Sequence, residues 1–253
     1  MTADRDLAVD AILEILKAMQ PDEAADPNEG LRERKKRRVR QHISDVATAM
    51  FLVHGFDRVT VARIAAACEV SEQTVFNYFP TKESMLFDRA ESKISAVADA
   101  VRERGSHSLT DAVAQALGAG IQPERRGVVD EARQLHLLRL FWETTGSPTL
   151  AGARLADFAR LTDEIALALA QRIGADPTDP EVQLATFVIA GLIRVRQQST
   201  FHHVQHATSL DALKDAISGD FRRAVQLAEP TLSAFDERLT TGQRARRASQ
   251  PGR

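Results

Sequence analysis

Glu72, Gln73, Thr74, Phe76 and Asn77 fall within six consecutive residues. At helical spacing they share an outward face, while Val75 and Phe79 turn the other way. Their chemistry is that of reading base edges. A Gln amide carries a donor and an acceptor side by side, which suits N7 and N6 of adenine. A Glu carboxylate accepts from cytosine N4, and a Thr methyl packs on the methyl of thymine. Phe76, one turn on from Glu72 and Gln73, has no hydroxyl and offers only apolar contact with base or sugar.

Such a face works only if other elements hold it. Thr60 and Ser71 are helix-capping types set just before Val61–Cys68 and Glu72–Tyr78,. Two short helices joined by a tight turn make a helix-turn-helix, which lays its second helix in the major groove of DNA. Ile64, Ala65, Val70, Val75 and Phe79 are expected to form the small core that fixes the crossing angle. Upstream, a helix from about Arg34 to His54 carries Ile43, Val46, Ala47, Met50 and Phe51 on one stripe and stops at Gly55,. Pro80-Thr81 breaks the chain. Thr81 then caps a long helix with Leu86, Ala90, Ile94, Val97 and Val101 inward.

Further breaks divide the remainder into helices. One starts at Ser108 and dies at Gly118–Gly120 and Pro123, and another covers about Val128 to Thr145. Ser147-Pro148 and Asp179-Pro180 each set Pro at the first helical position and launch helices to about Ile173 and His206. The last begins at Ser209. With no strand pattern, the expected fold is all-α, of nine main helices. A possible extra helix, Asp6–Gln20, is ended by Pro21 and followed by an acidic linker; it either folds back loosely or docks a partner. Leu184–Val195 is apolar nearly all the way round, so it needs burial on more than one side.

The words T-V-x-x-I-A at Thr60–Ala65 and T-V-F-N-Y-F-P-T-K-E at Thr74–Glu83 resemble the tetracycline-repressor (TetR) family of transcription regulators. The strong signature covers Thr60–Leu86, and the helix count agrees over about Arg34–Phe235. The resemblance implies that Tyr78 and Lys82 grip phosphate, joined by Thr60 and Arg63 from the preceding helix. Ser71, at the start of the reading helix, is counted with the DNA-contacting set. Phosphate contacts fix register and carry little sequence information.

It also implies a homodimer paired through the last two helices, a palindromic double-stranded operator, and a repressor released by a small-molecule effector. The effector would sit among the helices from about Lys82 to Ile173. Leu138, Phe141, Trp142, Phe158 and Phe187 are candidate lining residues, with His136, Arg139 and Glu143 as polar contacts; an apolar or aromatic molecule would suit them. The sequence departs from the family in the turn, where Glu69 replaces the usual Gly. A side chain in the left-handed region costs on the order of 1 kcal/mol, so a slightly altered turn is expected.

Composition is that of an ordinary globular chain: 253 residues, 43% hydrophobic and 27% charged,. No apolar run approaches the roughly 18 residues of a membrane span, and nothing at the start reads as a signal peptide. The single cysteine, Cys68, rules out an internal disulfide framework, so a cytoplasmic protein is expected,. Net charge is only −2, but Leu31–Arg40, LRERKKRRVR, holds seven basic residues against one acidic, and the tail from Gln243 is basic again. The Arg32–Arg40 run is either a solvated charge run or a phosphate or minor-groove contact.

The expected domains are an extension (1–30), a DNA-binding domain (31–81), an effector and dimerisation domain (82–236) and a basic disordered tail (237–253). No cofactor or enzymatic activity is expected. The alternatives are an activator or global regulator without effector and, more remotely, a metal-binding or enzymatic helical protein using His202 and His206, which stand at i and i+4. No acidic residue joins that pair in the H-E-x-x-H arrangement of zinc hydrolases.

Overall fold

The computed structural model describes residues 2–18, 30–103, 105, 107–118 and 130–248. Among them are ten α-helices and no strand: α1 (Thr2–Ala18), α2 (Leu31–His54), α3 (Val61–Ala67), α4 (Glu72–Tyr78), α5 (Lys82–Glu103), α6 (Leu109–Gly118), α7 (Glu131–Thr145), α8 (Ala151–Ile173), α9 (Pro180–Val204) and α10 (Leu210–Ala248). The all-α expectation holds, extra N-terminal helix included. The acidic linker, the break at 119–123, residue Val128 and residues 249–253 lie outside the described residues, as do the side chains of Ala90 and Ile94.

The capping residues act as their types dictate, each taking an otherwise orphaned N–H. Thr60 Oγ1 accepts from Arg63 N at 3.3 Å, Ser71 Oγ from Thr74 N at 3.0 Å and Thr81 Oγ1 from Ser84 N at 3.2 Å. Ser108, Asp179 and Ser209 do the same for α6, α9 and α10. Ser147-Pro148 differs from expectation: it starts a 3₁₀ turn, Pro148–Leu150, and α8 follows from Ala151.

The chain divides into two compact units. The first comprises Met1–Arg89 and Pro123–Ala153. Its core joins Ile43, Val46, Met50 and Phe51 of α2 to Ile64 and Ala65 of α3, Val75 of α4, Phe79, and Met85 and Leu86 of α5. These include the residues expected to fix the helix crossing; Val70 packs at the edge, partly buried. α1 folds back on α2, with Val9 and Leu13 against this core. Phe141 of α7 and Leu150 join the same core. α7 groups with the helix-turn-helix in this unit, where Phe141 packs on its core.

The second unit comprises Ala90–Gln122 and Arg154–Arg253. Val97, Val101, Leu109, Val113, Ile165, Leu169, Ile189, Leu232 and Phe235 form its core, and α9 packs along α10. Polar ties register these helices. Asp236 on α10 accepts from Leu109 N at 2.7 Å, capping α6 from 127 residues away. Asp220 accepts from Ser199 Oγ at 2.7 Å and meets His203 Nε2 at 2.8 Å. Hydrogen bonds from Ser199 and His203 hold its carboxyl below the usual range,. α10 runs on to Ala248, into the segment expected to be disordered, because Gln243–Ala248 is made of strong helix formers,.

Candidate nucleic-acid interface

Only seven residues long, α4 would be marginal alone and depends on its cap and neighbours,. Ser71 Oγ both caps Thr74 N and meets Thr74 Oγ1 at 2.8 Å, which engages the hydroxyl and leaves the methyl for contact. Glu72, Gln73, Phe76 and Asn77 are exposed, and Val75 and Phe79 are buried, as the spacing predicts. Phe76 keeps 46% of its surface in water, a large apolar group facing solvent on a helix otherwise polar outside,. Gln73 Nε2 donates to Asn77 Oδ1 at 3.1 Å. That bond orients Gln73 while sparing its Oε1 and one N–H, the acceptor-donor pair that adenine requires.

Arg40 of α2 holds the far end of α4. Its Nη1 donates to Tyr78 O at 2.7 Å, its Nε donates to Asp88 Oδ1 at 2.8 Å, and its Nη2 lies 2.6 Å from the same oxygen. The guanidinium also sits over the Phe79 ring, 4.5 Å from its centroid,. Beside it, Ser44 Oγ donates to Met85 O at 3.0 Å in the buried core. α2, α4 and α5 are thereby locked together. Sequence reasoning placed Arg40 in a charge run and missed this clamp. The only signal was its position one turn before the apolar stripe of α2.

The residues expected at phosphates gather at two places. Thr60 and Arg63 are exposed at the start of α3, with Arg63 Nη1 donating to Arg58 O at 3.3 Å. Lys82 Nζ donates to Phe56 O at 2.9 Å and Val59 O at 3.1 Å and sits 4.1 Å from the Phe56 ring centroid. It thus fastens the loop before Thr60, with a third N–H not engaged by these two bonds. Tyr78 is half-buried against the core at the other end of α4.

The turn between α3 and α4 keeps the left-handed geometry. Glu69 has φ of 55°, Val70 N donates to Ala65 O at 3.0 Å and Glu69 N donates to Ala66 O at 3.2 Å. The altered turn expected from Glu69 is not found, because this closing hydrogen-bond pair outweighs roughly 1 kcal/mol of strain. Glu69→Val is expected to lower stability by about 1–2 kcal/mol, since a β-branched residue tolerates positive φ least. Glu69→Gly should leave it unchanged or raise it by up to about 1 kcal/mol; urea unfolding measures both. Cys68, just before the turn, is buried, and burial pushes its thiol up to about 11. It packs as a compact hydrophobe.

The residues expected to line an effector site fall in both units. His136 is exposed and Leu138, Arg139, Phe141 and Trp142 are half-buried on α7, where the last two rings meet edge-on at 5.9 Å. In the second unit Phe158 is half-buried against the core, and Phe187 is 56% exposed on α9. An open groove of about 430 Å³ lies between α9 and α10, lined by Val195, Gln198, His202, Arg223 and Leu227 among others. His202 and His206 are exposed, whereas His203 turns to Asp220. The described residues contain no group of three or more His, Cys, Asp or Glu side chains placed to hold a metal ion. No helix among them is long and apolar enough to cross a membrane.

Residues 43–88, the stretch that builds this interface, match the family model for bacterial regulatory proteins of the tetR family. The HTH-type transcriptional regulator TcmR of Streptomyces glaucescens is 31% identical over 227 residues, which span 80% of this chain and 95% of TcmR. This chain belongs to the TetR family. As a TetR-family protein it is a helix-turn-helix, DNA-binding transcription regulator. MftR, a transcriptional regulator of Mycobacterium tuberculosis, is 27% identical over 66% of this chain and 81% of its own. Among solved TetR-family structures, the Thermus thermophilus repressor FadR in complex with lauroyl-CoA is 22% identical, with a TM-score of 0.43 over 73% of this chain and 92% of FadR. A TetR-family regulator from Streptomyces coelicolor is 17% identical, with a TM-score of 0.40 over 88% and 92% of the two chains. α1 and the first three turns of α2, Arg40 included, lie before the matched TetR stretch.

Proposed function

We propose that this chain is a dimeric repressor that binds a palindromic operator through α4 and releases it when a small molecule binds the helical body. The Gln73–Asn77 pair carries the base-reading half of this proposal, since it holds an adenine-matching amide on an exposed, capped and clamped helix. Glu72, Thr74 and Phe76 supply the remaining base contacts. Thr60, Arg63, Ser71, Tyr78 and Lys82 supply the backbone contacts.

The dimer reading rests on α9. Leu184, Phe187, Gly191, Val195, Gln198 and His202 recur at three- and four-residue steps on one exposed face, mostly apolar, and Leu227 of α10 is 84% exposed beside the groove. A contiguous apolar face of this kind marks an association surface. With two copies paired there, both α4 helices must lie about 34 Å apart to enter successive major grooves. An effector preferring another separation weakens operator binding by its differential affinity, typically about 1–3 kcal/mol. Half-buried α7, with Leu138, Arg139 and the Phe141–Trp142 pair, is the proposed effector-sensing element. Phe187, by its exposure, is better assigned to the dimer face than to a pocket. The reading is non-enzymatic and places the protein with DNA in the cytoplasm.

Gln73→Ala is expected to cost about 1–3 kcal/mol in operator affinity and to relax preference at one base pair of each half-site. Binding of a set of single-base operator variants checks this. Equal loss at every position would remove Gln73 from base reading. A compound screen in which nothing alters operator affinity would show that no small-molecule effector releases the operator.

A further inference from the structure

We propose that the first three turns of α2, braced by α1, form a second DNA contact that grips the phosphate backbone beyond the recognition helix. The proposal rests on the DNA-binding reading and adds a surface outside the residues that carry it. α2 is unbroken from Leu31 to His54, so the basic run is a helix rather than a loose arm. Arg32, Lys35, Lys36 and Arg38 are exposed along it, with Glu33 the sole acidic residue between Leu31 and Arg40. The whole chain has a net charge of −2, so this concentration of positive charge is local to one end of the DNA-binding unit.

Two contacts place the run next to the interface. At its C-terminal end α2 leads into the Phe56–Val59 loop, which Lys82 fastens beside Thr60. Arg40, fourteen residues earlier than His54, bonds the last carbonyl of α4. α2 therefore passes behind the reading helix from the Thr60 side to the Tyr78 end. Leu31–Val39 continues beyond that end by about 13 Å at 1.5 Å per residue. The major groove is about 12 Å wide, so the overhang reaches the scale on which the next phosphate ridge lies.

Three turns crowded with like charge would fray by themselves. α1 counters this by packing on α2, and Val9, Leu13 and Val39 all pack against the core of the unit. The extension thus positions a basic helix, and polyanion is the chemistry that matches it. Since the run belongs to the helix whose Arg40 clamps the end of α4, that polyanion is the flank of the same duplex.

The test compares full-length protein with an Arg32→Gln, Lys35→Gln, Lys36→Gln, Arg38→Gln variant, which removes charge but keeps helix-forming residues. The probe is a duplex carrying a site recovered from genomic fragments, with its natural flanks. Four lost phosphate contacts should lower the slope of log affinity against log salt by about 3–4 per bound chain. The hydroxyl-radical footprint should shorten at its outer edges while base preference is unchanged. Lys35→Arg with Lys36→Arg should keep both slope and footprint. Leu13→Asp, which removes the brace, should shorten the footprint like the Gln variant. An unchanged slope and footprint in the Gln variant would show a solvated charge face and overturn the proposal. Absence of any site-selective binding by the unaltered protein would overturn the DNA-binding reading itself.

Discussion

Arg40→Ala is expected to lower the free energy of unfolding by about 2–3 kcal/mol, read from the urea midpoint. Breaking a fully buried ion pair costs about 3–5 kcal/mol, because the remaining charge stays desolvated. Here Asp88 is 8% exposed, while the Arg40 side chain is 38% exposed and reached by water, which reduces the expected figure,. The change also strips a donor from the Tyr78 carbonyl and the cation from the Phe79 ring. Arg40→Lys should restore only part of the loss, since an ammonium cannot span Asp88 and Tyr78 as the guanidinium fork does. A double-mutant cycle with Asp88→Asn isolates the pairwise term. Because Arg40 fixes the end of α4, discrimination among operator variants should fall along with stability.

Phe187→Asp should convert the protein to monomers with little loss of fold. Phe187 is 56% exposed in the single chain, so the fold itself needs it little. In a twofold interface the new carboxylate would face its own copy or be buried without a cation, either of which is costly. Gly191, one turn further along the stripe, has nothing within 4 Å of where a Cβ would stand, so it lets a partner helix approach closely. A monomer must bind each half-site separately and loses the gain of linked sites, about 10²–10⁴-fold. Sedimentation velocity and operator titration read the two effects. A variant that remains dimeric would move the interface away from α9.

Local chemistry made most of the helices legible in the sequence. Thr60, Ser71, Thr81, Ser108, Asp179 and Ser209 mark starts by side-chain type, and Gly55 marks a stop. The outward face of α4 followed from the spacing of Val75 and Phe79 alone. Long-range pairing was not legible. Nothing local joins Arg40 to Asp88, 48 residues away, or Asp236 to Leu109, 127 away. Lys82 read as a phosphate grip from its motif, but its two carbonyl bonds depend on where the Phe56–Val59 loop comes to rest. Phe141 and Trp142 could line a pocket, although aromatic residues at helical spacing are core more often than pocket. Docking on the first core, which no periodicity reveals, settles where Phe141 packs.

Base reading by α4 is measured most directly by recovery of genomic DNA fragments by the purified protein, set against a Gln73→Ala, Phe76→Ala, Asn77→Ala variant. All three side chains are exposed, so the control keeps its fold. The expected result is a small set of fragments sharing two inverted half-sites about one helical turn apart, enriched by the unaltered protein and lost in the variant. The same fragments recovered by both proteins, or none enriched by either, would contradict the claim that α4 reads DNA.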